Sequence, residues 1–123
     1  MADPKDLNDL RAALLALHRE LVEEERRAYE KTHGRQTGAD FLQTLIADPA
    51  FAWLAPLTTL IVRLDELDAE ENPDAERSAS SKAARALLVE QQSEFRRRSA
   101  ELVQRSPDVA FAYAAARRTA LGG

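Results

Sequence analysis

Only two residues of the chain, His18 and His33, carry an imidazole, the side chain that most often binds metals or moves protons. Glu30 lies three residues before His33, which is the Glu-x-x-His spacing that carboxylate-bridged metal bundles use. Such sites need a second motif of this kind, and the residue three before His18 is Leu15. His33 also precedes Gly34 at a predicted helix end, where a cationic side chain simply favours the helix dipole. The sequence therefore predicts no metal and no cofactor, with His18 at the boundary of the core.

Nucleophilic catalysis has no recognisable motif in this chain. It contains no cysteine, and no serine stands in a Gly-x-Ser-x-Gly elbow. The glycines form neither a Walker loop nor a dinucleotide fingerprint; they are Gly34, Gly38, Gly122 and Gly123. Acid–base catalysis by some of the 21 carboxylate residues stays open, although acidic helix faces are usually solvated. We expect a protein that is not an enzyme.

Basic side chains are concentrated towards the C-terminus. Residues 1–76 hold 17 acidic and 8 basic residues, a net charge of −9, whereas residues 77–123 hold 4 and 9, a net charge of +5. The two basic clusters are Arg96, Arg97, Arg98 and Arg117, Arg118. Glu94 and Glu101 each stand four residues before an arginine, so pairing within a helix absorbs part of this charge. A solvated face is the simpler interpretation, and an anionic ligand or acidic protein partner at Arg96, Arg97 and Arg98 is the alternative.

Three of the seven aromatic residues, Phe41, Phe51 and Trp53, fall within thirteen positions. Buried anchors are the simpler interpretation, because aromatic side chains bring a large apolar area to a core. Phe51 and Trp53 are two residues apart, however, so they cannot both face inward on one turn of a helix. We therefore expect one of them to cover a groove or a subunit interface, where tryptophan is enriched. A pocket around Tyr29, His33 and Trp53 would be the site of a small ligand or metal.

Proline pairs divide the chain into the elements that must position these residues. Asp, Asn or Ser caps a helix by accepting a hydrogen bond from a free backbone N–H, and proline is favoured at the next position. Four such pairs occur: Asp3-Pro4, Asp48-Pro49, Asn72-Pro73 and Ser106-Pro107. Alternation typical of strands is absent. The sequence predicts an all-α protein.

The predicted architecture is a single domain, residues 1–123, folded as an irregular bundle of four to five helices. Two helices are long, residues 4–33 and a second one that ends at 105 and begins at either Pro73 or Lys82. The inner face predicted for the second is Ala84, Leu88, Gln91, Phe95 and Leu102. Shorter helices cover residues 38–47, 49–68 and 107–119. The segment 49–68 is expected to break or kink at Pro56, because a residue before proline is disfavoured in the helical region.

Leucines recur along the first helix with alternating spacings of three and four: Leu7, Leu10, Leu14, Leu17 and Leu21. This heptad pattern is typical of a helix that packs lengthwise on another. The N-terminal residues lack the basic and apolar regions of a secretory signal, and the most apolar stretch, residues 50–62, is short for a membrane span. We expect a soluble cytoplasmic protein with no membrane association. The net charge of −4 argues against nucleic-acid binding.

Several segments resemble a group of small bacterial all-helical proteins. They are residues 48–57 (DPAFAWLAPL), 60–66 (LIVRLDE), 17–21 (LHREL) and 25–30 (ERRAYE). The likeness covers about residues 14–68 and does not extend to the C-terminal half. It implies a bacterial cytoplasmic helical protein. The group implies no activity and no catalytic residue.

Three hypotheses of function follow. The first is a non-catalytic interaction or regulatory module that forms a homo-oligomer, or binds a protein partner, through helix 1 or the region of Phe51 and Trp53. The second is a bundle that binds a small ligand or metal near Tyr29 and His33. The third and weakest is a binder of an anionic partner through Arg96–Arg98.

Overall fold

The computed structural model describes the backbone of residues 4–66 and 73–122 and the side chains of residues 8–66 and 78–122. Within these ranges the chain forms six α-helices and no strand. The helices are α1 (Pro4–His33), α2 (Gly38–Ala47), α3 (Ala55–Glu66), α4 (Pro73–Arg85), α5 (Glu94–Arg105) and α6 (Pro107–Ala120). A 3₁₀ helix, Pro49–Leu54, precedes α3, and a π-helical segment, Ala86–Glu90, follows α4. The all-α prediction is confirmed, with six helices instead of four to five.

Helix starts follow the proline pairs. The Asp48 carboxylate accepts a hydrogen bond from the Ala50 backbone N–H at 2.9 Å, and the Ser106 hydroxyl accepts one from the Val109 N–H at 3.2 Å. Helix α4 begins at Pro73, which settles the choice between Pro73 and Lys82. The caps predicted at Asp3 and Asn72 lie outside the described residues.

A four-residue turn reverses the chain after α1. Gly34 adopts a φ of +86°, a backbone conformation that glycine reaches without strain, and its N–H donates to the Glu30 carbonyl at 2.8 Å. The Thr37 hydroxyl then caps α2 by accepting from the Asp40 N–H at 3.1 Å. The helix end at Gly34 was predicted, and together the two features return α2 towards the end of α1.

The break expected near Pro56 is present and is a short 3₁₀ helix. Contrary to expectation, Ala55 stays in the helical region, with φ −54° and ψ −41°, although it precedes Pro56. Helix α3 therefore begins one residue before the proline. Pro56 lies in the first turn, where a missing backbone N–H costs no intrahelical hydrogen bond.

The prediction of one long helix ending at residue 105 is wrong. The helix widens into the π segment, where the Gln91 N–H donates to the Ala86 carbonyl at 2.7 Å, and then stops. Ser93 is extended and caps α5 by accepting from the Arg96 N–H at 3.2 Å. Because Gln91 lies in this break, it is exposed, whereas the other four predicted inner-face residues are buried.

Helix α1 lies along α6 and also packs against α3. Its leucine seam is buried in these contacts, at Leu10, Leu14, Leu17 and Leu21. Small side chains, with Val109, Ala116 and Ala120 buried, let α6 approach α1 closely. The seam is therefore an intramolecular contact of the bundle, and the side chain of Leu7, its first predicted member, lies outside the described residues.

Helix α3 runs antiparallel to α1. Arg11 forms an ion pair with Asp65, and His18 Nε2 lies 3.1 Å from the Thr58 hydroxyl. Burial lowers the pKa of His18. The structure confirms that His18 lies at the edge of the core, where it contacts the Thr58 hydroxyl.

Candidate docking groove between the last two helices

Tyr29 and His33, two of the sequence-selected residues, stack at the end of α1 with ring centroids 4.0 Å apart. Phe51 and Phe41 pack on Tyr29 with centroids at 5.8 and 6.3 Å and on each other at 5.7 Å. Phe41 and Phe51 are buried, and His33 is exposed at the edge of the group. Contacts of this kind stabilise aromatic clusters. We call Tyr29, His33, Phe41 and Phe51 the aromatic cluster; it anchors α2 and the 3₁₀ helix onto α1.

A polar clasp covers one side of the aromatic cluster. The Arg26 guanidinium lies 5.4 Å from the Phe41 ring centroid and donates to the Gln36 carbonyl at 2.8 Å. The Gln36 backbone N–H donates to the Glu30 carboxylate at 2.9 Å, which lowers the pKa of Glu30. The carboxylate of Glu30 is thus bonded to the turn that follows α1 and to Arg26.

Trp53 is buried in a different contact from the aromatic cluster. Its ring centroid lies 5.8 Å from that of Phe95 on α5, and the Arg98 guanidinium lies 5.6 Å from it. The prediction that Phe51 and Trp53 could not both face inward is wrong, because both are about 5% exposed or less. Residues two apart on a 3₁₀ helix point about 120° apart, and here each direction meets other elements of the core.

Arg98 joins Trp53 to an acidic side chain of α1. Its Nη2 lies 3.5 Å from the carboxylate of Glu25, which is only 7% exposed. Burial raises the pKa of Glu25, and the nearby positive charges of Arg98 and Arg105 oppose that rise. We call Glu25, Arg98 and Trp53 the Arg98 pin; this group ties α5 to α1 and to the 3₁₀ helix.

The three consecutive arginines selected from the sequence, Arg96, Arg97 and Arg98, lie in three different environments. Arg96 donates to the Gln91 carbonyl at 3.4 Å, across the break before α5. Arg97 is exposed, whereas Arg98 faces inward to the pin. The intrahelical pairing expected from Glu94 is replaced at Arg98 by the ion pair with Glu25 and a longer one, 4.0 Å, with Glu101. The run 96–98 is thus not one continuous anion site.

Among the described residues, no group of three or more His, Cys, Asp or Glu side chains is arranged to hold a metal ion. A concavity of about 770 Å³ beside the end of α1 is lined largely by charged side chains of both signs, including Glu24, Arg27, Lys31 and Arg105. Such a lining is typical of solvated surface.

An apolar groove of about 460 Å³ lies between α5 and α6. Its volume falls within the range of ligand sites. Val103 of α5 faces Tyr113 of α6 across it, and the remaining lining residues, all on or just after α6, are Ala110, Ala114, Arg117, Arg118 and Leu121. The two alanines leave the floor open, and the arginines stand at one end. We call this feature the α5–α6 groove.

Tyr113 is the fixed wall of the α5–α6 groove. Its hydroxyl donates to the Leu88 carbonyl at 2.6 Å, an acceptor in the π segment. Burial raises the pKa of Tyr113, and the positive charges of Arg96 and Arg117 act against that rise. The groove therefore presents the tyrosine ring rather than a free hydroxyl, in a positive electrostatic environment.

Phe111 projects from α6 next to the groove residues and is 78% exposed, the most exposed large apolar side chain of the described residues. Ile46 and Leu42, one turn apart on α2, are also exposed. Single exposed apolar residues are common on protein surfaces, and a contiguous patch is more informative. Phe111 lies on α6, the helix that also supplies most of the apolar lining of the groove.

Sequence reasoning selected the Arg117–Arg118 cluster but did not join it to an apolar surface. The signal was present in α6: Val109, Ala112 and Ala116 mark one face, and Phe111 and Ala114 mark another. Two apolar faces on one helix indicate two contacts. The contribution of Val103 was not visible, because it depends on how α5 lies against α6.

No single helix of the described residues combines the length and apolar character of a membrane span. Helix α2 and the segment Pro49–Glu66 meet those criteria only when joined, and they are bent by 82° relative to each other.

Comparisons with known proteins return no match of the chain to a family model, to a curated protein or to a solved structure.

Proposed function

We propose that this protein is a non-catalytic helical interaction module that binds a helical segment of a protein partner in the α5–α6 groove. The observation that carries the proposal is the apolar groove itself, with Ala110 and Ala114 as an open floor and Phe111 exposed beside it. An amphipathic helix binds such grooves by inserting apolar side chains at successive turns. We further propose that the module acts in the cytoplasm.

The surfaces first considered for association are engaged within the chain itself. The leucine seam of α1, Phe51 and Trp53 are buried, so an interface that used them would require the bundle to open. The α5–α6 groove can accept a partner with no such rearrangement. Proteins with a preformed site bind with little change of backbone, which favours the groove as the docking surface.

A selection of helical peptides from a display library tests this function. Binders should be lost when Ala114→Trp fills the groove, because Ala114 is an exposed lining residue whose enlargement leaves the core unchanged. The matched control is Ala16→Trp, at an exposed position of α1, which should keep the binding. Circular dichroism verifies that both variants are folded. Binders that ignore Ala114→Trp, or a selection without saturable binders, would contradict the proposal.

A further inference from the structure

We infer that the partner segment is an acidic amphipathic helix, whose carboxylates flank an apolar face. This inference rests on the proposed function of the α5–α6 groove and names the chemistry of its partner. The charge at the groove has one sign: Arg117 and Arg118 line it, and Arg96 lies close enough to influence Tyr113. None of the described lining residues is acidic.

The two arginines that line the groove differ from the ion-paired arginines of the bundle in having no carboxylate partner among the described residues. Arg11, Arg26, Arg27 and Arg98 each form an ion pair with a side chain of the same chain. No ion pair joins Arg117 or Arg118 to a carboxylate of the described residues, and both are exposed. They therefore retain their capacity to bind a carboxylate in a bidentate manner.

The groove also favours one shape of partner. Its floor is apolar and concave, and Tyr113 is held against movement by its hydrogen bond to Leu88. Any acidic polymer could pair with the two arginines, but a polymer without apolar side chains would leave the apolar floor uncovered. A helix with apolar side chains at i, i+4 and i+7 meets the floor along two turns, and carboxylates beside them reach the arginines.

An anionic membrane surface is the other acidic partner to consider. Peripheral membrane contacts insert protruding apolar side chains between lipid headgroups, and Phe111 and Leu121 are the exposed large apolar residues at this groove. The concave floor between α5 and α6 would stay empty on a lipid surface. The concave shape therefore favours a protein helix, and vesicles become one arm of the test.

The experiment measures fluorescence anisotropy of four labelled peptides, each about 18 residues or five helical turns. The first is acidic and amphipathic. The second and third keep its apolar face but carry neutral or basic polar positions, and the fourth has the acidic composition in scrambled order. We expect the acidic amphipathic peptide to bind about tenfold more tightly than the neutral one at low salt, with the preference weakened by added salt because rim charges are screened.

Two variants locate the effect. In the double variant Arg117→Gln with Arg118→Gln, the preference for the acidic peptide should fall to about threefold or less, while binding of the neutral peptide is kept. Arg19→Gln, an exposed arginine of α1, is the matched control and should leave all four affinities unchanged.

The outcomes separate the partner from the function. If the neutral or basic amphipathic peptide binds as tightly as the acidic one, the inference is overturned and the groove function stands. If the scrambled acidic peptide binds equally well, charge alone is responsible and the inference is overturned. Binding to anionic vesicles, in the absence of peptide binding, overturns it in favour of a lipid surface. If no amphipathic peptide and no vesicle binds, the proposed function fails together with it.

Discussion

Two regions of this bundle use similar residues with opposite results. At the Arg98 pin, an arginine lies over the buried ring of Trp53, and Glu25 supplies the opposite charge. At the α5–α6 groove, arginines flank the ring of Tyr113, and no carboxylate of the described residues pairs with Arg117 or Arg118. The pin is completed by the chain itself. The groove has the same kinds of side chain and lacks the acidic member.

This difference separates stability from binding. The ring of Trp53 and the charge of Arg98 already have their contacts within the chain, and the burial of the ring contributes to the free energy of folding. The exposed ring of Phe111 and the unpaired charges of Arg117 and Arg118 contribute little to folding and remain able to contact a partner. Phe51 and Trp53 of the segment 48–57, which the sequence offered as a possible interface, are buried within the chain.

The largest expected effect is the difference in stability between alanine substitutions at Trp53 and at Phe111. Trp53→Ala should lower the free energy of unfolding by about 3–5 kcal/mol, because it leaves a cavity beside Phe95. Phe111→Ala, at a residue that is 78% exposed, should change it by less than about 0.5 kcal/mol. Urea denaturation measures both. A loss at Phe111 equal to that at Trp53 would mean that Phe111 is packed in solution.

The next effect compares neighbouring arginines of α5. Arg98→Gln leaves the carboxylate of Glu25 buried without its partner, and we expect a loss of about 1–2 kcal/mol of stability. This is below the cost for a fully buried pair, because Arg98 itself is partly exposed. Arg97→Gln, on the exposed side, is the control and should be neutral. Equal melting temperatures of the two variants would contradict a stabilising role of the Arg98 pin.

The smallest effect is the pH dependence that Glu25 confers. Burial raises its pKa above the ordinary value of 4.5, so the folded state binds more protons than the unfolded chain between those two values. Its contribution to stability is therefore complete below pH 4.5 and is lost as the pH rises through the raised pKa. One group can change the free energy of unfolding by at most about 1.4 kcal/mol per pH unit.

Glu25→Gln removes this titration, and the measurement is the difference between wild type and variant in unfolding free energy against pH. Wild type should lose stability relative to the variant as the pH rises from about 4.5 to 7. Glu30, whose pKa the Gln36 N–H lowers, gives the opposite slope at acid pH, but it is present in both proteins and cancels. The exposed Glu23→Gln variant should keep the wild-type profile. A difference that is constant over this range would refute the role of Glu25.

Much of the fold was predictable, because its signals are local. Pro49 and Pro107 follow residues whose side chains cap the next helix, and Gly34 ends α1 with a positive φ. The break at residues 91–93 was missed. Ser93 is a good cap, but no proline marks it, and the helical pattern of Leu88 and Phe95 continues across it. The carbonyl freed at Leu88 is bonded by Tyr113, a residue 25 positions away, which no local pattern reveals.

The candidate site was less predictable than the fold. Tyr29 contacts His33 and Phe51, whereas Trp53, which the predicted pocket placed beside Tyr29 and His33, contacts Phe95. Among the three arginines of the run 96–98, the sequence offered no reason to separate Arg98 from its neighbours. The separation depends on a buried glutamate of α1 that lies 73 positions earlier in the chain.

Helix formation, helix ends and the buried leucines of α1 are properties that the order of residues carries alone, because caps, turns and periodic apolar faces act over a few positions. Which faces become covered is a property of the folded chain. Burial of the seam by α6, pairing of Arg98 with Glu25 and the groove left open beside Tyr113 all depend on helices distant in sequence. The sequence states which side chains are apolar or charged, but the folded chain decides which of them find a contact partner within it. Side chains without such a partner, as in the α5–α6 groove, remain able to bind another molecule.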